Sequence, residues 1–196
     1  MRLFVALDLP DEARDAVREL IAKLRPLCAS ARWVRPEGMH VTLKFIGHVP
    51  AEKLDPIRAA LAGVRSSALV AMHYHGVGFF PNERRPRVVW CGVDASQNLA
   101  QLAADIESAL EPLGIAPEER KFVPHLTLAR FNFKGPDTRG QAPDGVDKLA
   151  RHVQEMKPQD FGSARETQFH LYESTLKPSG AEYRKLESIA FVKGAA

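Results

Sequence analysis

A tetrapeptide of the form His-x-Thr-Leu occurs twice, as His40-Val41-Thr42-Leu43 and His125-Leu126-Thr127-Leu128, 85 residues apart (125 − 40). Each copy opens an apolar stretch, 40–46 and 125–131, that holds Val, Thr, Ile or Phe and no Gly or Pro. Such composition predicts two β-strands. Side chains alternate faces along a strand. His40 and Thr42 therefore share one face, while Val41, Leu43 and Phe45 take the other, and His125 and Thr127 repeat this against Leu126 and Leu128. Each motif sets a titratable imidazole beside a hydroxyl, with an apolar face behind to fix the strand to a core. One His-x-Thr alone is commonly two polar residues on a solvated face. Duplication in similar surroundings argues for a shared site: Gly38-Met39 precedes one copy, Val123-Pro124 the other, and each runs on into Phe45 or Phe131.

The rest of the chain supplies a scaffold of alternating type. Leu3 to Leu7 is a buried strand. After Pro10, the residues Ala13, Val17, Leu20, Ile21, Leu24 and Leu27 recur at helical spacing. A short strand at Arg32 to Val34 and a turn at Pro36-Glu37-Gly38 deliver the chain to the first motif. A second helix opens at Pro50, with Leu54, Ile57, Leu61 and Val64 inward and Pro56 tolerable only near its start. Ala68 to Val77 reads as an irregular strand, and Gly78 to Asn82 leads from it into a basic loop, Glu83 to Arg87. Val88 to Val93 is a buried strand. Ser96 caps a third helix whose stripe runs from Leu99 to Leu113 and which Gly114 ends. Lys134 to Gly145 reads as an exposed loop, Val146 to Val153 as a short helix, and Phe169 with Leu171 as a strand. Lys177 to Gly180 is a turn, and Tyr183 to Val192 a last strand. Strand, helix, strands, helix, strands, and then much the same again, imply an internal duplication near residue 85. The expectation is one domain over 1–196, made of two similar lobes, of α+β or α/β class.

Two histidines facing one groove can divide the work of general acid and general base, because imidazole titrates near ~6.5. Hydroxyls beside them can donate to developing negative charge. The matching substrate is a phosphodiester: one His deprotonates water, the other protonates the leaving oxygen, and Thr42 and Thr127 hold the non-bridging oxygens. No cofactor is needed for this. Net charge of +3 suits an anionic ligand but does not demand nucleic acid. A nucleobase could stack on an aromatic. Phe45, Phe79 and Phe131 flank the motifs or the basic loop, and strand parity assigns Phe45 to the core instead. Competing sites are poorer. His73-Tyr74-His75 and His48 invite a metal, but the chain has no HExxH or paired Cys, and carboxylates near these histidines in sequence are sparse, so no metal is expected. There is no GxSxG elbow and no GxxxxGK[ST] loop. Arg84, Arg85 and Arg87 read as a solvated loop. Cys28 and Cys91 lack CxxC spacing and fit buried thiols of a reducing compartment. No apolar run approaches the ~18–20 residues of a membrane span, and the first eight residues do not form a signal peptide. A soluble, cytoplasmic protein is expected.

Beyond these readings, the chain resembles the 2H phosphoesterase superfamily, and within it the RNA 2′,3′-cyclic phosphodiesterases, also called 2′-5′ RNA ligases. The similarity spans nearly the whole chain. It is carried by residues 2–10 (Arg-Leu-Phe-Val-Ala-Leu-Asp-Leu-Pro), by 33–47 around the first motif, by Arg87-Val88-Val89-Trp90, and by 124–130 around the second. The resemblance implies an α+β, bilobal, pseudo-twofold fold: two antiparallel β-sheets around a central cleft with helices outside. It implies hydrolysis of RNA or nucleotide 2′,3′-cyclic phosphate to a 2′-phosphate by a monomer, without metal or membrane. His40 would then be the proton donor and His125 the acceptor, with Thr42 and Thr127 on phosphoryl oxygens. Arg130 comes just after the second motif and would join them at the phosphate only if a bulge restores it to the face of His125. The alternatives are 2′-5′ ligation at the same site and a non-catalytic nucleotide- or RNA-binding module.

Overall fold

β1 (Arg2–Asp8) is buried along five of its seven residues, as a strand covered on both faces must be. It lies inside a four-stranded antiparallel sheet of order β3-β1-β8-β9, with β3 (His40–His48), β8 (Gln168–Lys177) and β9 (Gly180–Ala190). A second antiparallel sheet has the order β2-β6-β5-β4-β7. Its strands are β2 (Arg32–Trp33), β4 (Val70–Phe80), β5 (Val88–Ala95), β6 (His125–Arg130) and β7 (Asp160–Glu166). This computed structural model describes residues 1–131, 144–177 and 180–192. Most of the loop expected at 134–145 and the tip of the 177–180 turn lie outside them.

The helices follow the apolar stripes. α1 (Asp11–Leu24) buries Ala13, Val17, Leu20, Ile21 and Leu24. α2 (Leu54–Ala62) buries Ile57 and Leu61, and its Pro56 stands at the third helical position, where a backbone N–H has no intrahelical partner to lose. α3 (Asn98–Leu110) buries Leu99, Leu102, Ala103, Ile106 and Leu110. Leu113 falls in a 3₁₀ turn beyond it, closed by Gly114 at φ 77°. α4 (Val146–Glu155) buries Val146, Leu149 and Ala150. Ser96 does not cap α3 through its side chain; its Oγ accepts the Ala71 N–H at 3.0 Å instead. One apolar cluster joins residues of both sheets and these helices. The class is α+β, two-lobed, with two antiparallel sheets.

Alternation breaks at the same place in both motif strands. In β3, Thr42 pairs with Ala6 and Lys44 with Val5, so Leu43 has no opposite number. In β6, Thr127 pairs with Trp90 and Ala129 with Val89, so Leu128 is the extra residue. Each is a β-bulge, which reverses the parity of the residues beyond it. Leu43 and Lys44 are buried in succession, as are Leu128 and Ala129. The next side chain then returns to the histidine's face: Phe45 in one lobe, Arg130 in the other. The expectation that Phe45 belongs to the core is therefore wrong. It is 47% exposed, and its ring centroid lies 6.1 Å from that of Phe4, which stacks on His40. Lys44 takes the core position and is satisfied there by Glu107 Oε1 at 2.9 Å and the Ala116 carbonyl at 2.8 Å.

Candidate active site

The two histidines are anchored alike. Nδ1 of His40 lies 2.8 Å from the carbonyl oxygen of Gly38, and Nδ1 of His125 lies 2.8 Å from that of Val123. A carbonyl only accepts, so each Nδ1 carries the proton and donates it. Each Nε2 is then left as the nitrogen that can give or take a proton. In both motifs the anchor is the residue two before the histidine, which the 3₁₀ turn Pro36–Gly38 and the Val123-Pro124 dipeptide bring into place.

β3 and β6 come into contact across the two sheets, and the Val34 N–H donates to the Leu128 carbonyl at 2.8 Å beside them. Arg130 is near enough to act on both imidazoles. Its positive charge opposes protonation of His40 and of His125 alike. Burial is the larger cause in each case. It holds His40 down at about 4, against the Gly38 hydrogen bond and the Asp8 charge, which favour the cation. The physical source is aromatic cover. Phe4 stacks on His40 with centroids 4.5 Å apart, and Tyr183 meets it edge-on at 5.1 Å. His125 is lowered too, with Phe80 edge-on at 5.1 Å and Phe80 in turn against Trp90. Thr42 and Thr127 are half-buried on the same strand faces as their histidines.

Phe79 and Phe131 are not beside the histidines. Both are buried in the core cluster, where neither can offer a ring face to a base. The reason in β4 is length. The strand runs to Phe80, past the break expected at Gly78, and it is Phe80 that reaches His125. In β6 the bulge gives the exposed position to Arg130 and turns Phe131 inward.

Sequence reasoning missed a polar cluster behind Phe4. Asp8 accepts from the Tyr172 hydroxyl through one oxygen and from Lys185 Nζ, at 2.6 Å, through the other. His170 Nε2 lies 3.4 Å from the oxygen that Lys185 reaches. Burial alone would raise the Asp8 carboxyl; the hydrogen bonds from Lys185 and Tyr172 and the charge of His170 hold it below its ordinary value. Tyr172 also stacks on Phe4 at 5.2 Å. The available signal was parity: His170 and Tyr172 alternate with buried Phe169 and Leu171. A further cluster, His73, His75 and Asp94, brings one possible metal-ligating atom from each residue within 4.8 Å of the others. The carboxylates sparse in the local sequence are supplied by the fold. His48, the third histidine weighed for a metal, is exposed at the end of β3. Among the described residues no helix is long and apolar enough to cross a membrane.

Paired bulged strands, each with a carbonyl-anchored histidine and a threonine, are features that comparison with known proteins can place. The family model described as LigT like Phosphoesterase matches residues 7–90 and 92–183. The chain is 35% identical to the RNA 2′,3′-cyclic phosphodiesterase of Methanothermobacter thermautotrophicus, over 95% of this chain and 97% of that one. It is 33% identical to the protein of the same name from Thermotoga maritima, over 99% and 97%. Among solved structures, the Thermus thermophilus protein TT0787 superposes with a TM-score of 0.77 at 32% identity over the whole of both chains. Escherichia coli LigT complexed with 3′-AMP gives 0.76 at 29%, covering 98% of each. Matched by family model, relatives and fold along nearly its full length, the chain belongs to the LigT-like phosphoesterases.

Proposed function

We propose that this protein hydrolyses the 2′,3′-cyclic phosphate at an RNA or nucleotide end to a 2′-phosphate, with His40 as acid and His125 as base. The observation that carries the reading is the matched anchoring of the two imidazoles, which leaves each Nε2 to move a proton. The names of the relatives supply the substrate class, since they are RNA 2′,3′-cyclic phosphodiesterases.

In the step envisaged, His125 Nε2 takes a proton from water as its oxygen bonds to phosphorus. The bond from phosphorus to O3′ breaks, and His40 Nε2 gives its proton to O3′. Thr42 and Thr127 donate to the non-bridging oxygens, and Arg130 offsets the added negative charge. The acid must be charged at the start although burial favours neutral imidazole. An anionic phosphate held close to Nε2 favours the charged form and works against the burial. At His40 the Asp8 charge works in the same direction as the phosphate, although burial lowers His40 the further of the two histidines, so the assignment of acid and base follows the family resemblance. Phe45 and Phe80, on the same side as the histidines, are the aromatics suited to a nucleobase.

The test is the product. Turnover of a 2′,3′-cyclic nucleotide in ¹⁸O-labelled water should yield a 2′-phosphate carrying one ¹⁸O, seen by phosphorus NMR and mass spectrometry. A 3′-phosphate product, or no turnover, would overturn the reading.

A further inference from the structure

β4 carries two histidines that the mechanism above does not use. His73 and His75 project from one face of the strand, with Tyr74 buried on the other. Their rings stack with centroids 5.3 Å apart and 17° between planes. Asp94, on β5, is the backbone partner of His73, and its Oδ2 stands 2.9 Å from Nε2 of His75. That oxygen lies off the ring's N–H direction: Nε2 of His75 is buried and makes no hydrogen bond. On the far side, Asp160 Oδ1 lies 3.1 Å from Nε2 of His73 and is itself fixed by the Gly162 N–H at 2.8 Å.

We propose that His73, His75 and Asp94 form a binding site for a divalent transition-metal ion, Zn²⁺ being the best match, with Asp160 orienting His73 from outside the ligand set. Two imidazoles and one carboxylate are a three-ligand zinc set that leaves a fourth position for water. Nitrogen donors disfavour Mg²⁺ and Ca²⁺, which take oxygen. Zinc–ligand distances of about 2.0–2.1 Å place neighbouring tetrahedral ligand atoms about 3.3 Å apart. The ligand atoms lie within 4.8 Å of one another and the His75–Asp94 pair at 2.9 Å, which brackets that spacing, and shifts of up to about 1.5 Å are within reach of side-chain rotation at a half-exposed site. An off-axis carboxylate oxygen close to an unbonded imidazole nitrogen is what two ligands of one ion look like, and not what a histidine–aspartate hydrogen bond looks like. A carboxylate on the outer ring nitrogen is the usual support for a metal-bound histidine. The site is separate from the paired motifs. Gly92 of β5 is the register partner of both His75 and His125, so the two sites lie two strand spacings apart on the sheet, about 10 Å.

Titration calorimetry of Zn²⁺ into protein stripped with EDTA and dialysed tests this. One ion per chain is expected, with micromolar or tighter affinity. His75→Ala and Asp94→Asn should each weaken it at least ~100-fold, and Asp160→Asn ~10–100-fold, the range for outer partners. Co²⁺ should give the visible absorption of a tetrahedral ion in the wild type and not in His75→Ala. Added Zn²⁺ should raise the melting temperature of the wild type and not of Asp94→Asn. Wild-type affinity no tighter than millimolar would overturn the proposal. So would binding that survives His75→Ala but is lost in a His40→Ala/His125→Ala double variant, because the ion would then belong to the other site.

Discussion

At the residue scale, the unusual feature is a pair of histidines that burial favours in the neutral form inside the site proposed to move protons. Desolvation is the larger cause, and Arg130 adds to it at both rings. Removing the Arg130 charge should favour both cations, so in Arg130→Gln both histidines should titrate at higher pH than in the wild type. Nitrogen-detected NMR of the ligand-free protein reads this directly. The wild-type His40 should show a midpoint of about 4. A wild-type midpoint near the ordinary ~6.5, or no upward movement in Arg130→Gln, would contradict the arrangement described. That His40 shares a strand face with Thr42, and His125 with Thr127, was legible in the sequence because alternation within four residues is local. The sequence left Asp8, Tyr172 and Lys185 unseen, because their meeting depends on β1, β8 and β9 lying side by side.

At the element scale, two bulges decide which aromatics can meet a substrate. Parity counted along an unbroken strand sends Phe45 inward and Arg130 away from His125. One extra residue at Leu43 and at Leu128 reverses both. A single strand read from its sequence does not reveal a bulge, since Leu43-Lys44 and Leu128-Ala129 differ chemically while occupying the same places. β7 escaped notice for a related reason: Gly162 at φ 93° and a register shift against β4 leave Phe161 and Ala164 buried three apart, off the period of two. β4 looked shorter than it is because Gly78 read as punctuation. Gly78 is instead a close approach, where a Cβ would stand 2.2 Å from the Trp90 ring. From these placements, Phe45→Ala and Phe80→Ala should raise KM for a cyclic nucleotide more than they lower kcat, with melting temperature little changed. Phe79→Ala and Phe131→Ala should do the reverse, losing roughly 3–5 kcal/mol of stability with KM held, as buried Phe truncations do. Steady-state kinetics with chemical denaturation separates the two pairs. Unchanged KM in both Phe45→Ala and Phe80→Ala would remove them from the substrate.

At the scale of the whole molecule, each sheet contributes one motif strand, β3 at the edge of one and β6 beside the short β2 in the other. The chain passes from one sheet to the other between Trp33 and His40, carrying the first motif across to its partner. The repeated order of elements was readable only as α+β or α/β, and the two-lobed α+β arrangement came from the family resemblance. We propose that the lobes derive from duplication of one strand–helix unit, which accounts for bulges at matching positions. A reaction run by one side chain from each lobe should fail when either is lost. The most direct test is the steady-state rate on a 2′,3′-cyclic nucleotide, measured with EDTA-stripped wild type, His40→Ala, His125→Ala and the double variant. The stripped wild type should keep its activity, and each single variant should lose ~10²–10⁴ in kcat with a smaller change in KM. The double variant should lose far less than the product of the two, because the residues act as a unit. Near wild-type turnover in either single variant, or loss of wild-type activity on chelation that Zn²⁺ restores, would contradict the two-histidine mechanism.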